Sequence, residues 1–212
     1  MRTLLHIDSS PMNDASISRR LTREFAQHWL RAQADGEVRY RDLARADIPP
    51  TNGAWHAANF TPKQHRTPQQ HDLLALSSVF TSELRDADEY VIGVPMHNWG
   101  PSASFKLWVD QIVRQGETLT MTDRGPRGTL TGKRATFVIA AGANYGPDAA
   151  SAALNFVEPW LRRLFTYLGV EDLRFVMADG VVNVLNGTVD RVHFLAPHLA
   201  AVQALFAPES CV

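Results

Sequence analysis

The sequence predicts a three-layer α/β sandwich in which five parallel strands, in the spatial order 2-1-3-4-5, lie between two layers of helices. Short apolar runs alternate along the chain with longer segments whose apolar residues repeat every three or four positions. The first run begins almost at residue one and is apolar, whereas the second candidate strand has the mixed pattern of an edge strand. With 212 residues, 45% of them hydrophobic, the chain is expected to form a single domain over residues 1–212.

The first half of the chain opens a strand-helix-strand unit. Residues 3–7 are a short apolar run, and the polar loop after them leads to Ser16, which precedes a helix with one apolar stripe. In residues 37–42 apolar and arginine side chains alternate, which predicts a half-buried second strand at the sheet edge. Residues 45–66 show no periodicity and are expected to form a long loop, of the kind that often serves as a lid or contact surface. A helix that begins at Thr67 leads to the third strand.

Three further segments complete the predicted sheet. Residues 90–94 are the third strand, and Pro95 is expected to end its ladder because proline has no N–H to donate. Residues 135–141 are uniformly apolar, which predicts a central fourth strand, and residues 173–178 form the fifth. The connection over residues 116–132 is rich in glycine and threonine and could hold a small hairpin.

Helices are predicted after the third, fourth and fifth strands. Ser102 and Ser104 open the first of them. Pro159 lies near the start of the second, and Gly169 ends it. The last helix covers residues 189–206, where Pro197 is expected to bend or interrupt it.

Composition excludes several classes of function. The net charge is −1 and the lysines and arginines are scattered, so a nucleic-acid partner is not expected. The only cysteine, Cys211, leaves no disulfide, CxxC pair or thiolate metal site, which favours a reduced, cytoplasmic setting and predicts no metal site. Because no stretch approaches the roughly 20 apolar residues that span a bilayer, and no export signal is visible, no membrane partner is expected either.

Three loops form the candidate ligand site. In the order 2-1-3-4-5 the strand order reverses between strands one and three, and ligands bind at such a switch point. The loops at residues 9–18 and 95–102 should therefore face one crevice, which the loop near Gly142 should join.

The first loop suits a phosphate. A helix N-terminus offers unpaired N–H groups and the positive end of the helix dipole, and Ser10, Ser16 and Ser18 add hydroxyl groups. Neither GxxxxGK[ST] nor GxGxxG is present, which excludes an NTPase P-loop and a Rossmann dinucleotide turn. A purely structural alternative is open, in which Ser16 is an ordinary N-cap.

The second loop suits a planar ring that forms hydrogen bonds. His97 and Trp99 are two flat side chains beside exposed backbone donors, and this combination fits such a ring better than it fits a sugar or a metal. Here too a structural alternative is open, in which His97 is a surface histidine while Met96 and Trp99 belong to the core.

These motifs resemble those of the flavodoxin-like family of FMN-dependent NADH:quinone oxidoreductases and azoreductases. Ser9-Ser10 followed by Ser16-Ile17-Ser18 is similar to the family's phosphate loop, and Pro95-Met96-His97-Asn98-Trp99 resembles its Pro-Met-Tyr-Asn-Phe flavin loop. Further motifs occur at the family's spacing: Phe105-Lys106, Asp110, Gly116, Gly125-Pro126-Arg127-Gly128, Gly132-Lys133 and Ala178-Asp179-Gly180. After strand four, Ala140-Ala141-Gly142-Ala143 stands where the family usually has Ser-Arg-Gly-Gly.

The resemblance implies a homodimer that binds FMN tightly, reduces it with NAD(P)H and passes two electrons to a quinone or an azo compound in ping-pong order. It implies that backbone N–H groups around Gly142 stabilise the negative charge that develops on the ring. No catalytic acid or base is implied, because the cofactor carries the chemistry. The implied cofactor-binding residues are Ser10, Ser16, Ile17 and Ser18 for the phosphate and Pro95, Met96, His97, Asn98, Trp99 and Gly142 for the ring.

His97 stands where the family has tyrosine. An imidazole, unlike a phenol, can become charged close to neutral pH, which predicts pH-sensitive reduction of the flavin.

Two other classes of protein remain open. A flavodoxin-type electron carrier would dock on protein partners, but such carriers tend to be acidic and this chain is nearly neutral. A flavodoxin-like scaffold or binding protein without FMN is kept open by the alanines at positions 140, 141 and 143.

Overall fold

The computed structural model describes residues 1–207 and has a parallel five-stranded sheet at its centre. The strands are β1 (Thr3–Asp8), β2 (Glu37–Asp42), β3 (Glu89–His97), β4 (Gly100–Pro101), β5 (Leu119–Thr122), β6 (Gly125–Gly128), β7 (Arg134–Ala140) and β8 (Asp172–Ala178). The central sheet has the order β2-β1-β3-β7-β8, with every neighbouring pair parallel. This is the predicted order 2-1-3-4-5 with its second strand at the edge. β5 and β6 form the predicted small hairpin.

Helices cover both faces of the sheet and complete the predicted flavodoxin-like sandwich. Within residues 1–207 they are α1 (Ile17–Ala32), α2 (Gly53–Phe60), α3 (Pro68–Leu73), α4 (Ala75–Asp86), α5 (Ala103–Ile112), α6 (Val157–Tyr167), α7 (Val182–Leu185) and α8 (Arg191–Ala204). On one face α1 and α8 share an apolar cluster with the sheet, for example through Phe25 and Val202. On the other face α4, α5 and α6 pack through Phe80, Trp108 and Phe165. Helices cover β3 and β7 on both faces, which explains why both strands are mostly apolar.

The expectation of an irregular loop over residues 45–66 is wrong. Helix α2 lies within this segment, and its N-cap Asn52 accepts a hydrogen bond from the Trp55 N–H at 3.0 Å. Trp55 is buried in a small cluster with Ala58 and Leu74, beside α3. A helix of eight residues that packs on another helix shows little periodicity, which is why the sequence pattern did not reveal it.

Two helix boundaries also differ from expectation. The helix that begins after Thr67 is divided at Leu74 into α3 and α4, although its N-terminus has a capping box between Thr67 and Gln70. In contrast, α8 continues through Pro197 without interruption.

The prediction that Pro95 ends the third strand is wrong, because β3 continues to His97. The Ser9 N–H donates to the Gly93 carbonyl at 3.2 Å, so the peptide groups of Gly93 and, two residues later, of Pro95 face β1. Since β1 has already ended there, the missing proline N–H leaves no ladder bond unmade. On its other side β3 stays in register with β7, continues to His97 and turns back into β4.

The described residues offer neither a membrane-spanning helix nor a metal-binding cluster. Within residues 1–207 no helix combines the length and apolar character needed to cross a membrane. The same residues contain no cluster of three or more histidine, cysteine or acidic side chains that could hold a metal ion. Cys211 lies outside the described residues.

Candidate functional site

Seven of the ten predicted site residues line one cavity of about 280 Å³ at the carboxyl ends of the central strands. They come from the three predicted loops, which meet at the switch point between β1 and β3. These residues are Ser10, Ser16 and Ile17 after β1, Pro95, Met96 and His97 at the end of β3, and Gly142 after β7. Sequence reasoning did not assign six further lining residues to the site: Met12, Ala15, Ala140, Ala141, Val181 and Leu185.

The other three predicted residues lie beside the cavity. Ser18 is fully buried, and its hydroxyl lies 3.2 Å from that of Ser16. Asn98 is exposed in the turn between β3 and β4. Trp99 is 52% exposed and lines a neighbouring aromatic cleft with Phe156 and Trp160.

The turn that carries Asn98 and Trp99 is strained. Their φ angles are 49° and 63°, and the flanking residues His97 and Gly100 are paired. Two consecutive positive φ angles form the type I′ turn, whose twist matches that of a hairpin. Asparagine tolerates this conformation, but a bulky side chain costs about 1–2 kcal/mol there. Trp99 therefore adopts a backbone conformation that is unfavourable for a residue with a bulky side chain.

A pair of substitutions measures this strain. Trp99→Gly and Trp99→Ala both remove the ring, but only alanine keeps a Cβ at a positive φ, so we expect the glycine variant to be more stable by about 1 kcal/mol in urea. Phe156 lines the same cleft at a φ of −86°, and there alanine should be more stable than glycine. A result in which both positions favour alanine would contradict the strain at Trp99.

Helix α1 begins at the cavity. The Ser16 side chain is the N-cap and accepts the Arg19 N–H at 3.3 Å, and Ser16 also lines the cavity. The N–H groups of Ile17 and Ser18, in the first turn, have no carbonyl partner within the helix. They carry the positive end of the helix dipole. This end of the cavity thus offers several donors to an anion.

Sequence reasoning missed a buried ionic network under this loop. Arg19, 7% exposed, donates to both carboxylate oxygens of Asp42 at 2.7 and 2.8 Å, and it lies 3.8 Å from Asp8. The Tyr40 hydroxyl accepts from Arg19 at 2.8 Å and donates to Asp8 at 3.1 Å. Thr22 donates to the other Asp8 oxygen at 2.8 Å. The alternation in β2 indicated an edge strand, but a single sequence gives no signal that pairs its end with a helix.

The network shifts the pKa values of Asp8, Tyr40 and Arg19. Burial by itself would raise the pKa of Asp8, but His6, Thr22 and Arg19 outweigh it and hold that pKa below its ordinary value of 3.8. Burial and the charge of Asp8 raise the pKa of Tyr40 to about 12, so its hydroxyl stays protonated and remains a donor. Burial opposes the charge of Arg19, but the Asp42 hydrogen bonds prevail and raise its pKa.

The lowered pKa of Asp8 predicts acid sensitivity. A carboxylate whose pKa is lower in the folded than in the unfolded protein stabilises the fold above its unfolded pKa, and this contribution is lost as pH falls through the folded pKa. Asp8→Asn should therefore be less stable than wild type at neutral pH, and the difference in unfolding free energy should shrink from about pH 5 to about pH 3. Urea denaturation across this range checks it.

Asp14 supplies the control, since its side chain is 99% exposed. Asp14→Asn should follow the wild-type curve throughout. A gap between Asp8→Asn and wild type that stays constant with pH would contradict the role of Asp8.

The loop after β7 is held against the segment that follows β8. The Val182 N–H donates to the Gly142 carbonyl at 3.1 Å, and the Gly180 N–H donates to the Ala143 carbonyl at 2.9 Å. A Cβ built on Gly142 would meet no atom within 4 Å. Hydrogen bonds therefore hold the loop after β7 in place, while the space next to the Gly142 Cα is free of protein atoms.

Known proteins resemble this chain in sequence. A sequence profile of the flavodoxin-like fold matches residues 2–194. A Burkholderia lata protein named FMN-dependent NADH:quinone oxidoreductase 3 is 68% identical over 98% of this chain and 100% of its own length. An FMN-dependent NADH:quinone oxidoreductase of Acidobacterium capsulatum is 46% identical over 96% of this chain and 98% of its own.

Solved structures of other proteins have the same fold as this chain. An FMN-dependent NADH-azoreductase from Bacillus anthracis, solved in complex with FMN, matches with a TM-score of 0.82 at 23% identity, over 97% of this chain and 98% of that one. A second azoreductase from Bacillus anthracis has a TM-score of 0.85 at 18% identity, over 97% and 99% of the two chains. The chain therefore belongs to the flavodoxin-like family that includes the FMN-dependent NADH:quinone oxidoreductases.

Proposed function

We propose that this protein is an FMN-dependent enzyme that takes two electrons from NADH or NADPH and passes them to quinones, azo compounds or both. The observation that carries the proposal is the single cavity at which Ser16, His97 and Gly142 meet from three separate loops. The names of the relatives at 68% and 46% identity support the same activity.

The residues around the cavity fit FMN. At one end the α1 N-terminus and the hydroxyls of Ser10 and Ser16 suit a phosphate dianion. Elsewhere the walls include Met96 and Leu185, which suit the apolar part of a flat ring. The open space above Gly142 lets backbone approach closely without an intervening side chain.

FMN, when bound, supplies the two-electron redox chemistry. The task of the chain is to bind and orient it. In the proposal, first-turn N–H groups of α1 hold the phosphate, Asn98 donates to the polar edge of the ring, and Met96 and Trp99 contact its apolar parts. Backbone N–H groups around Gly142 stabilise negative charge, which needs donors placed in advance. No side chain is assigned as an acid or a base.

Colour and kinetics test the proposal. Purified protein should be yellow, should bleach with NADH, and should regain its colour when menadione is added. Because donor and acceptor use one site in turn, double-reciprocal plots should be parallel, and converging lines would exclude ping-pong order. A colourless protein that takes up no added FMN would favour the scaffold alternative. A yellow protein that reacts only with a protein partner would favour the electron carrier.

We also propose that the enzyme is a homodimer. Large apolar side chains remain exposed near the cavity, with exposures of 52% for Trp99, 58% for Phe156 and 63% for Leu185. Such groups are typical of a surface that another chain covers. Sedimentation equilibrium should give twice the chain mass, and a monomer at all concentrations would contradict the proposal. A cytoplasmic location for the single domain over residues 1–212 is part of the same proposal, since one cysteine needs no oxidising compartment.

A further inference from the structure

All the N–H groups of the Arg19 guanidinium donate hydrogen bonds within the protein. Nε and Nη2 donate to the Ser10 carbonyl at 2.9 and 2.7 Å. Nη1 donates to the Tyr40 hydroxyl and to Asp42 Oδ2, both at 2.8 Å, and Nη2 donates to Asp42 Oδ1 at 2.7 Å. Since arginine has five N–H donors, none remains for a ligand. Although Arg19 is the third residue of α1, its side chain does not act as a direct phosphate ligand.

Arg19 also forms hydrogen bonds with both ends of the loop that precedes α1, at Ser10 and at Ser16. Its side chain binds the Ser10 carbonyl, and its backbone N–H donates to Ser16 Oγ at 3.3 Å. Within the loop the Met12 N–H donates to Ser10 Oγ at 3.3 Å. The shape of residues 10–16, and with it the direction of the Ser10 and Ser16 groups, therefore depends on where Arg19 is held.

Arg19 also offsets negative charge beneath the loop. It lies between Asp8 and Asp42, whose side chains are only 4% and 14% exposed. Without Arg19, two carboxylates would lie under a site meant for a dianion, and the nearby Arg45, 3.6 Å from Asp42, is largely exposed to solvent. Buried charges are little screened by salt, so their repulsion would reach the phosphate.

We infer that Arg19 is a positioning residue that makes the site selective for a phosphorylated flavin. It shapes residues 10–16 and offsets part of the negative charge of Asp8 and Asp42, although it does not contact the ligand. The inference rests on the proposed function, in which residues 10–18 hold the FMN phosphate.

The test compares FMN with riboflavin, which has the same ring but no phosphate. Dissociation constants of both are measured by flavin fluorescence quenching on the full-length chain after bound flavin is removed. Wild type should prefer FMN, and Arg19→Gln should lose about tenfold or more of that preference. Riboflavin affinity should change little. A purely structural role for Arg19 would weaken both ligands alike and leave the ratio unchanged.

Two further variants make the result decisive. Arg19→Lys keeps the positive charge, so Asp8 and Asp42 stay paired with a cation. This variant is expected to fold and replaces Arg19→Gln in the comparison if the glutamine variant does not fold. A lysine ammonium lacks the planar fork that reaches Ser10 and both Asp42 oxygens, so this variant should also lose FMN preference, though less. Arg20, the neighbouring residue, pairs with Glu24 on the outer surface, and Arg20→Gln should keep the wild-type ratio.

The outcomes separate the two levels of the argument. If wild type binds FMN and riboflavin equally, the proposed phosphate site itself is wrong. If wild type prefers FMN but Arg19→Gln, or Arg19→Lys where only that variant folds, keeps the full preference, the inference about Arg19 alone is overturned.

Discussion

Gly93→Ala is expected to lower the free energy of unfolding by about 3 kcal/mol and to weaken FMN binding. A Cβ at this position would lie 2.7 Å from Asp8 Oδ1, 3.2 Å from Thr22 Cγ2 and 3.5 Å from Ser18 Cβ. The Asp8 carboxylate cannot move away without disturbing its hydrogen bonds to Thr22 and Tyr40. Because Arg19 lies 3.8 Å from Asp8 and binds Ser10, the displacement would reach the loop that lines the cavity.

Gly53 provides a matched control for the Gly93 prediction. It is the first residue of α2, and a Cβ built there would meet no atom within 4 Å. Gly53→Ala should leave stability unchanged or raise it slightly, because alanine restricts the unfolded chain. Urea denaturation and FMN titration of both variants decide the matter. Equal behaviour of the two alanine variants would show that the space around Gly93 is not limiting.

The strand order could be predicted because each strand carries its own signature. β1, β3 and β7 are mostly apolar and mostly buried, while β2 alternates and lies at the edge. The switch point follows from this order, and with it the meeting of the loops that hold Ser16, His97 and Gly142. These features depend on the local pattern of apolar residues and on general rules of sheet topology, which can be applied to a single sequence.

Features that depend on long-range contacts could not be predicted. The Arg19–Asp42 pair joins a helix to the end of an edge strand, and no periodicity relates the two residues. The failure at Pro95 has a similar cause, since the cost of its missing N–H depends on where β1 ends. Helix α2 was missed because its one large buried residue, Trp55, packs beside a neighbouring helix instead of the sheet.

Ile17→Pro is expected to weaken FMN binding without a matching effect on riboflavin. Ile17 is the first residue of α1, where proline is tolerated because the N–H has no partner within the helix. Ser16, with φ −68° and ψ 129°, already has the conformation that a residue before proline adopts. The substitution thus removes one proposed phosphate donor and leaves the helix start intact. A hydrogen bond to a charged group contributes about 1.5–3 kcal/mol, so the FMN dissociation constant should rise about tenfold or more.

Ile17→Ala is the control that isolates this N–H group. The Ile17 side chain is only 3% exposed and belongs to the cluster shared by α1 and the sheet, so both variants lose apolar packing. Only proline also loses the amide hydrogen. Fluorescence titrations of FMN and riboflavin should give equal riboflavin affinities for the two variants and weaker FMN binding for proline. If the two variants bound FMN equally well, the Ile17 N–H would not be a phosphate donor, and the α1 N-terminus would have to hold the phosphate through Ser18 and the serine hydroxyls alone.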